Sequence, residues 1–121
     1  MDQRTAVRNL AAVRLAVGVG AWVTPRLAGR LFGLDARANP QSPYLARLFG
    51  ARDVALAWGA LSSEGDSQRR WLLAGLACDV ADTAAGVAAG RSGYLPKVAS
   101  VLVSATAVSA VGLGAAALRE G

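Results

Sequence analysis

A chain of 121 residues has room for one domain, residues 1–121, and only 17% of it is charged, against roughly 25% in an average soluble domain. Hydrophobic residues make up 54%, mostly Ala, Val and Leu, and Gly is also abundant, a mix suited to helices that pack closely through small residues in lipid. Lys+Arg exceed Asp+Glu by 13 to 8, but no basic run is longer than Arg69-Arg70 and no basic-aromatic strip occurs, which argues against nucleic acid as a partner. There is no His and Cys78 stands alone, which argues against a zinc site, rules out an internal disulfide and removes the commonest general base; no metal or cofactor is expected.

The first apolar segment runs from about Thr5 to Val23, with Arg14 in its middle and Trp22 and Thr24-Pro25 at its end. Arg8 and Arg14 interrupt it, so it reads as a retained helix rather than a signal peptide. Pro25 to Leu34 reads as a short amphipathic piece. Leu27, Leu31 and Leu34 share one side, Arg26, Arg30 and Arg37 lie towards another, and such a segment suits a membrane interface. After the breaker Asn39-Pro40-Gln41-Ser42-Pro43 comes a second segment, Tyr44 to Leu61, carrying Arg47, Arg52 and Asp53. Ser62 to Ser67 is a polar loop.

The third segment, Trp71 to Gly90, is preceded by the anchor-like Arg69-Arg70-Trp71. It contains Asp79 and Asp82, ends in the small-xxx-small pattern Gly86 to Gly90, and is followed by a turn, Gly90-Arg91-Ser92-Gly93. The last segment is the clearest. Val98 to Leu118 gives 21 uncharged residues between Lys97 and Arg119, about 30 Å of helix and so about the thickness of a bilayer core. Pro96 suits its start, and Ser100, Ser104, Thr106 and Ser109 are read as bonding within or between helices. No strand alternation and no repeat are present.

The expectation is an all-α four-transmembrane-helix bundle with a short amphipathic helix between helices 1 and 2, multi-pass in the cell membrane. Four spans put Arg4, Arg8, Arg69, Arg70 and Arg119 on one side and Arg26, Arg30, Arg37, Arg91 and Lys97 on the other. Five against five leaves orientation unassigned by the positive-inside rule.

Three cations, Arg14, Arg47 and Arg52, and three acids, Asp53, Asp79 and Asp82, remain inside the spans. Each costs about 2.5–3.5 kcal/mol at a helix centre facing lipid, so they are expected to face one another, a wet cavity or an interface. Gly75, Asp79, Asp82 and Gly86 fall on one helical stripe. Leu48, Arg52, Ala55 and Gly59 make another, with Asp53 rotated about 100° from Arg52, and Leu10, Arg14, Val17 and Ala21 a third. A bundle can bring Arg14 and Arg52 to the Asp79/Asp82 pair. The bland reading is a set of structural ion pairs that fix helix register. The sharper one is a working site, in which two carboxylates close together share a proton as an acid/base pair and arginines orient a substrate.

Cys78 reads as a packing residue rather than a nucleophile, and Trp22, Trp58 and Trp71 as interface or packing residues. No phosphate-binding glycine loop is present.

The run Arg47-Leu48-Phe49-Gly50-Ala51-Arg52-Asp53-Val54-Ala55-Leu56-Ala57-Trp58-Gly59, followed by Asp79-x-x-Asp82, resembles small actinobacterial four-span membrane proteins of unknown function, similar in architecture to DoxX-like proteins. The resemblance covers most of the chain. It implies a four-helix membrane bundle with Arg47, Arg52, Asp53, Asp79 and Asp82 at characteristic polar positions, and it implies no reaction. The Ala, Gly and Arg content fits a GC-rich bacterial source, hence the bacterial inner membrane.

The first functional expectation is a membrane-embedded acid/base enzyme, an isomerase or cyclase, acting on a lipophilic small molecule. Asp79, Asp82 and Asp53 are its candidate catalytic residues, and Arg14, Arg47, Arg52 and Trp58 its candidate substrate-binding residues. The alternatives are a non-catalytic membrane subunit or assembly factor, a small proton-coupled transporter, and a soluble bundle that exposes its arginines and binds an apolar ligand. Membrane lipid is an expected partner, with a homo-oligomer or a larger membrane complex as the assembly.

Overall fold

The computed structural model describes residues 2–31, 36–93 and 97–120, and from residue 97 onward the side chains of 101 and 104–119. Every regular element among the described residues is helical: α1 Gln3–Val23, α2 Pro25–Leu31, α3 Ser42–Leu61, α4 Gly65–Arg91 and α5 Lys97–Glu120. The expected start of the last helix at Pro96, and Leu34 of the amphipathic piece, lie outside the described residues.

Local signals explain most boundaries. Asp2 caps α1: its Oδ1 accepts a 2.7 Å hydrogen bond from the Thr5 backbone N–H, and that bond holds the Asp2 carboxyl below the ordinary aspartate range. Pro43 in the first turn of α3 occupies a place where its missing N–H has no consequence. Helix α4 begins six residues earlier than the Trp71 expected from hydropathy. Polar residues start it: Asp66 lies in the first turn, where a carboxylate complements the helix dipole, and Gly65 takes a φ of 60° as the chain reverses. The α3–α4 turn is tied by side chains. Gln68 Nε2 donates to the Ala60 and Ser63 carbonyls at 2.9 and 3.2 Å, and Ser63 Oγ donates to the Gly59 carbonyl at 2.5 Å.

Packing places α1 against α3 and α5, and α4 against α3 and α5, so the four long helices form a ring in which α1 and α4 face each other diagonally. One end of the ring is a dry cluster of Ala6, Val7 and Leu10 from α1, Ala60 from α3, Leu72 from α4 and Ala117 from α5. In the middle, Gly18 and Gly50 let the α1 and α3 backbones touch. A Cβ on Gly18 would lie 2.7 Å from the Gly50 carbonyl oxygen, and one on Gly50 2.5 Å from that of Gly18. Helix α2 crosses over near α3; its Leu27 and Leu31 point outward, and Gly29 is its buried residue.

The expectation of four membrane-crossing helices is corrected by the structure. Two helices among the described residues, α1 and α4, are long and apolar enough to cross a membrane. Helix α3 carries Arg47, Arg52 and Asp53 within its 20 residues. In α5 the apolar stretch among the described side chains is Ser104–Arg119.

The interior is built largely from small residues, and many large apolar side chains lie on the surface. Buried positions are mainly Ala and Gly together with charged Arg14, Asp53 and Asp79, while Leu45, Leu48, Trp58, Leu73, Val80 and Val108 are among the exposed large apolar residues. Leu72 is the one large side chain below 2% exposure among the described residues.

Candidate functional site

The stripes read from helical spacing converge. Arg14 projects from α1 across the ring to α4, where its Nη1 and Nη2 donate to Asp79 Oδ1 and Oδ2 at 3.0 and 2.6 Å. This is the two-pronged geometry in which guanidinium and carboxylate bind most strongly. Asp53, from α3, stands further off, with its Oδ1 3.6 Å from Arg14 Nη1, an ion-pair contact rather than a hydrogen bond. All three residues are buried, at 4–5% exposure, so the cluster sits inside the protein against α1 and α4, the two helices long and apolar enough to cross a membrane. Gly75 makes room for it, since a Cβ there would come 2.8 Å from Arg14 Nη2.

The second pair lies one helical turn further along. Arg52 Nη1 and Nη2 donate to Asp82 Oδ1 and Oδ2 at 3.2 and 2.5 Å, with side-chain exposures of 35% and 28%. The Arg52 guanidinium also lies over the Phe49 ring, 4.7 Å from its centroid, three residues back on the same helix. Its Nε is buried without a hydrogen-bond partner.

Asp79 and Asp82 therefore share a stripe, as expected, but each carboxylate faces its own guanidinium, which offsets the mutual repulsion behind the shared-proton expectation. The 100° rotation of Asp53 from Arg52 is what sends the two to different neighbours. Arg47 and Trp58 are not brought to the cluster. Arg47 lies at the other end of α3, where its Nε donates to the Trp22 carbonyl at 3.1 Å and its guanidinium covers the Trp22 ring at 5.1 Å, satisfying a carbonyl at the end of α1. Trp58 is 70% exposed.

The roles of three supporting residues escape sequence reading. Gly75 was visible as a small residue on the aspartate stripe, but its use as space for a guanidinium depends on the diagonal helix. Phe49 was signalled by its i, i+3 spacing from Arg52. Thr83 had no signal; its Oγ1 donates to the Asp79 backbone carbonyl at 2.9 Å.

The chemistry open to the cluster is limited by space. The void lined by Arg14, Gly75, Leu56 and Leu72 is ≈ 10 Å³, about the minimum for one water molecule. Among the described residues no group of three or more His, Cys, Asp and Glu side chains is placed to hold a metal ion.

Comparisons with family models, with curated proteins and with solved structures give no match to this chain.

Proposed function

We propose that the chain is a non-catalytic membrane subunit or assembly factor, in which buried ion pairs set the register of the helices and the apolar exterior meets lipid and partner helices. The observation that carries this reading is the closure of the Arg14–Asp79 pair, with both guanidinium prongs engaged and a void of ≈ 10 Å³ beside it. A substrate has no place to sit there, whereas fixing register is the best-attested use of buried charges.

Depth along the helices supports the membrane setting. Trp22 lies eight residues beyond Arg14 on α1, and Trp71 eight residues before Asp79 on α4. At 1.5 Å per residue each is about 12 Å from the ion pair. The dry cluster joins the starts of α1 and α4, so the two helices run in the same direction and the tryptophans mark opposite faces. That is an aromatic belt on either side of a midplane charge pair, with Arg69, Arg70 and Arg91 beyond the belts. Ala74, Ala77, Ala81 and Ala85 form an exposed stripe on α4, and small residues suit close approach of another helix. Ten of the twelve arginines are exposed, as a soluble bundle would have them, but the buried Arg14 and the many exposed Leu, Val and Trp side chains favour the membrane setting. The bacterial inner membrane, with the DoxX-like resemblance of residues 47–59, belongs to the same proposal.

The test is native electrophoresis of host membranes solubilised in a mild detergent. This reading predicts migration in a complex with other membrane proteins; a lone chain or a pure homo-oligomer contradicts it. One observation favours acid/base chemistry on a lipophilic molecule as a second reading: the Arg52–Asp82 pair is about one-third exposed and Arg52 Nε is unpartnered. In that case Asp82→Asn abolishes function while leaving the amount of folded protein in the membrane unchanged.

A further inference from the structure

A groove of ≈ 760 Å³ runs between α4 and α5, outside the ion-pair cluster and open to the surroundings. Val80, Ala84 and Val87 from α4 and Val108 and Val111 from α5 give it an apolar floor, and among the described residues Arg91 is the one charged side chain in its lining. Thr83, also in the lining, spends its hydroxyl on the Asp79 carbonyl at 2.9 Å. The groove is thus apolar along its length and cationic at one end.

We propose that this groove binds one anionic phospholipid, with an acyl chain along the valines and the phosphate on Arg91. The inference rests on the membrane reading above. Depth and charge both select the occupant. Val80 adjoins Asp79, at the level of the buried ion pair, whereas Arg91 lies 12 residues past Asp79, about 18 Å along the helix and so beyond the ~15 Å half-thickness of the hydrocarbon core. The groove therefore runs from the bilayer centre to headgroup level, the course of an acyl chain, and it places its cation where the phosphate of such a lipid lies. An apolar partner helix, including that of a second copy, fills the groove without needing a formal negative charge at the cation's end, whereas an anionic lipid supplies one.

The experiment is native mass spectrometry of the purified full chain in a neutral detergent, titrated with phosphatidylglycerol and phosphatidylcholine of identical acyl chains. The expected result is one phosphatidylglycerol bound about fivefold more tightly than phosphatidylcholine, the factor typical of one cation near an anionic headgroup. Arg91→Gln removes the preference. Val87→Trp, which fills the groove, weakens both lipids. Arg30→Gln, an equal loss of charge on exposed α2, leaves the preference intact. Equal affinity for the two lipids, a preference that survives Arg91→Gln, undiminished binding by Val87→Trp, or a dimer that Val87→Trp dissolves each overturns the proposal. Alkaline extraction of host membranes separates the two levels of failure. A chain released into the aqueous phase overturns the membrane reading as well; one that stays in the membrane but shows no headgroup preference overturns only the groove.

Discussion

Arg14 is buried with two carboxylates in reach, yet it uses them unequally: Asp79 takes both prongs at 3.0 and 2.6 Å, while Asp53 sits at 3.6 Å. Removing one member of a buried pair leaves an uncompensated charge, which costs about 3–5 kcal/mol. Arg14→Gln and Asp79→Asn are therefore each expected to destabilise the fold by that order, read from reversible unfolding in mixed micelles. Asp53→Asn leaves one cation facing one carboxylate and is expected to cost under about 1 kcal/mol, since it takes away no hydrogen-bonded partner. A ranking with Asp53→Asn as the most damaging change would reverse the assignment of partners. The Arg52–Asp82 pair is about one-third exposed, so solvent screens it and its loss through Asp82→Asn is expected to cost about 1 kcal/mol or less. A loss as large as that of Asp79→Asn would mean that this pair is buried as deeply as the first.

At the scale of the helices, the contact between α1 and α3 depends on two glycines whose missing Cβ atoms let backbone meet backbone. Gly18→Ala and Gly50→Ala each drive a methyl into a carbonyl of the facing helix, and overpacking of this kind costs about 1–3 kcal/mol. Gly20, on the same helix, has open space around it. Gly20→Ala is expected to be neutral or to stabilise by up to about 1 kcal/mol through helix propensity. The same unfolding assay compares the three, and equal effects at positions 18 and 20 would place the α1–α3 contact elsewhere. These elements show what the sequence could and could not reveal. The helices were legible because apolar runs and breakers bound them, and the inward stripes of Arg14, Arg52, Asp79 and Asp82 were legible because helical spacing is fixed. The partner of each arginine was not, because it depends on the ring order, which spacing within one helix does not encode. The start of α4 was missed because hydropathy does not register a polar first turn. Apolar segments with pairable charges point to four spans, but α3 keeps three charges within 20 residues.

For the molecule as a whole, the proposed membrane setting rests on where the large apolar residues lie. Ala, Gly and the charged Arg14, Asp53 and Asp79 take up much of the interior while many Val, Leu and Trp side chains are exposed, an arrangement that suits close helix packing in a hydrocarbon solvent. The ion pairs then act where their solvation cost is highest, so the helices gain most from meeting in the one register that pairs them. Val13 and Val80 are exposed on the protein surface at 42% and 53%, each one residue from the Arg14–Asp79 pair and so at the level assigned to the bilayer centre. Glu64 is exposed in the α3–α4 turn. The most direct measurement is thiol labelling in open membrane fragments with a water-soluble maleimide, using single cysteines introduced as Val13→Cys, Val80→Cys or Glu64→Cys in a Cys78→Ala background. The account predicts that Glu64→Cys labels at once and that Val13→Cys and Val80→Cys label only after the membrane is dissolved and the protein denatured. Labelling of Val13→Cys and Val80→Cys as fast as Glu64→Cys would contradict it, because it would put water where the account requires lipid.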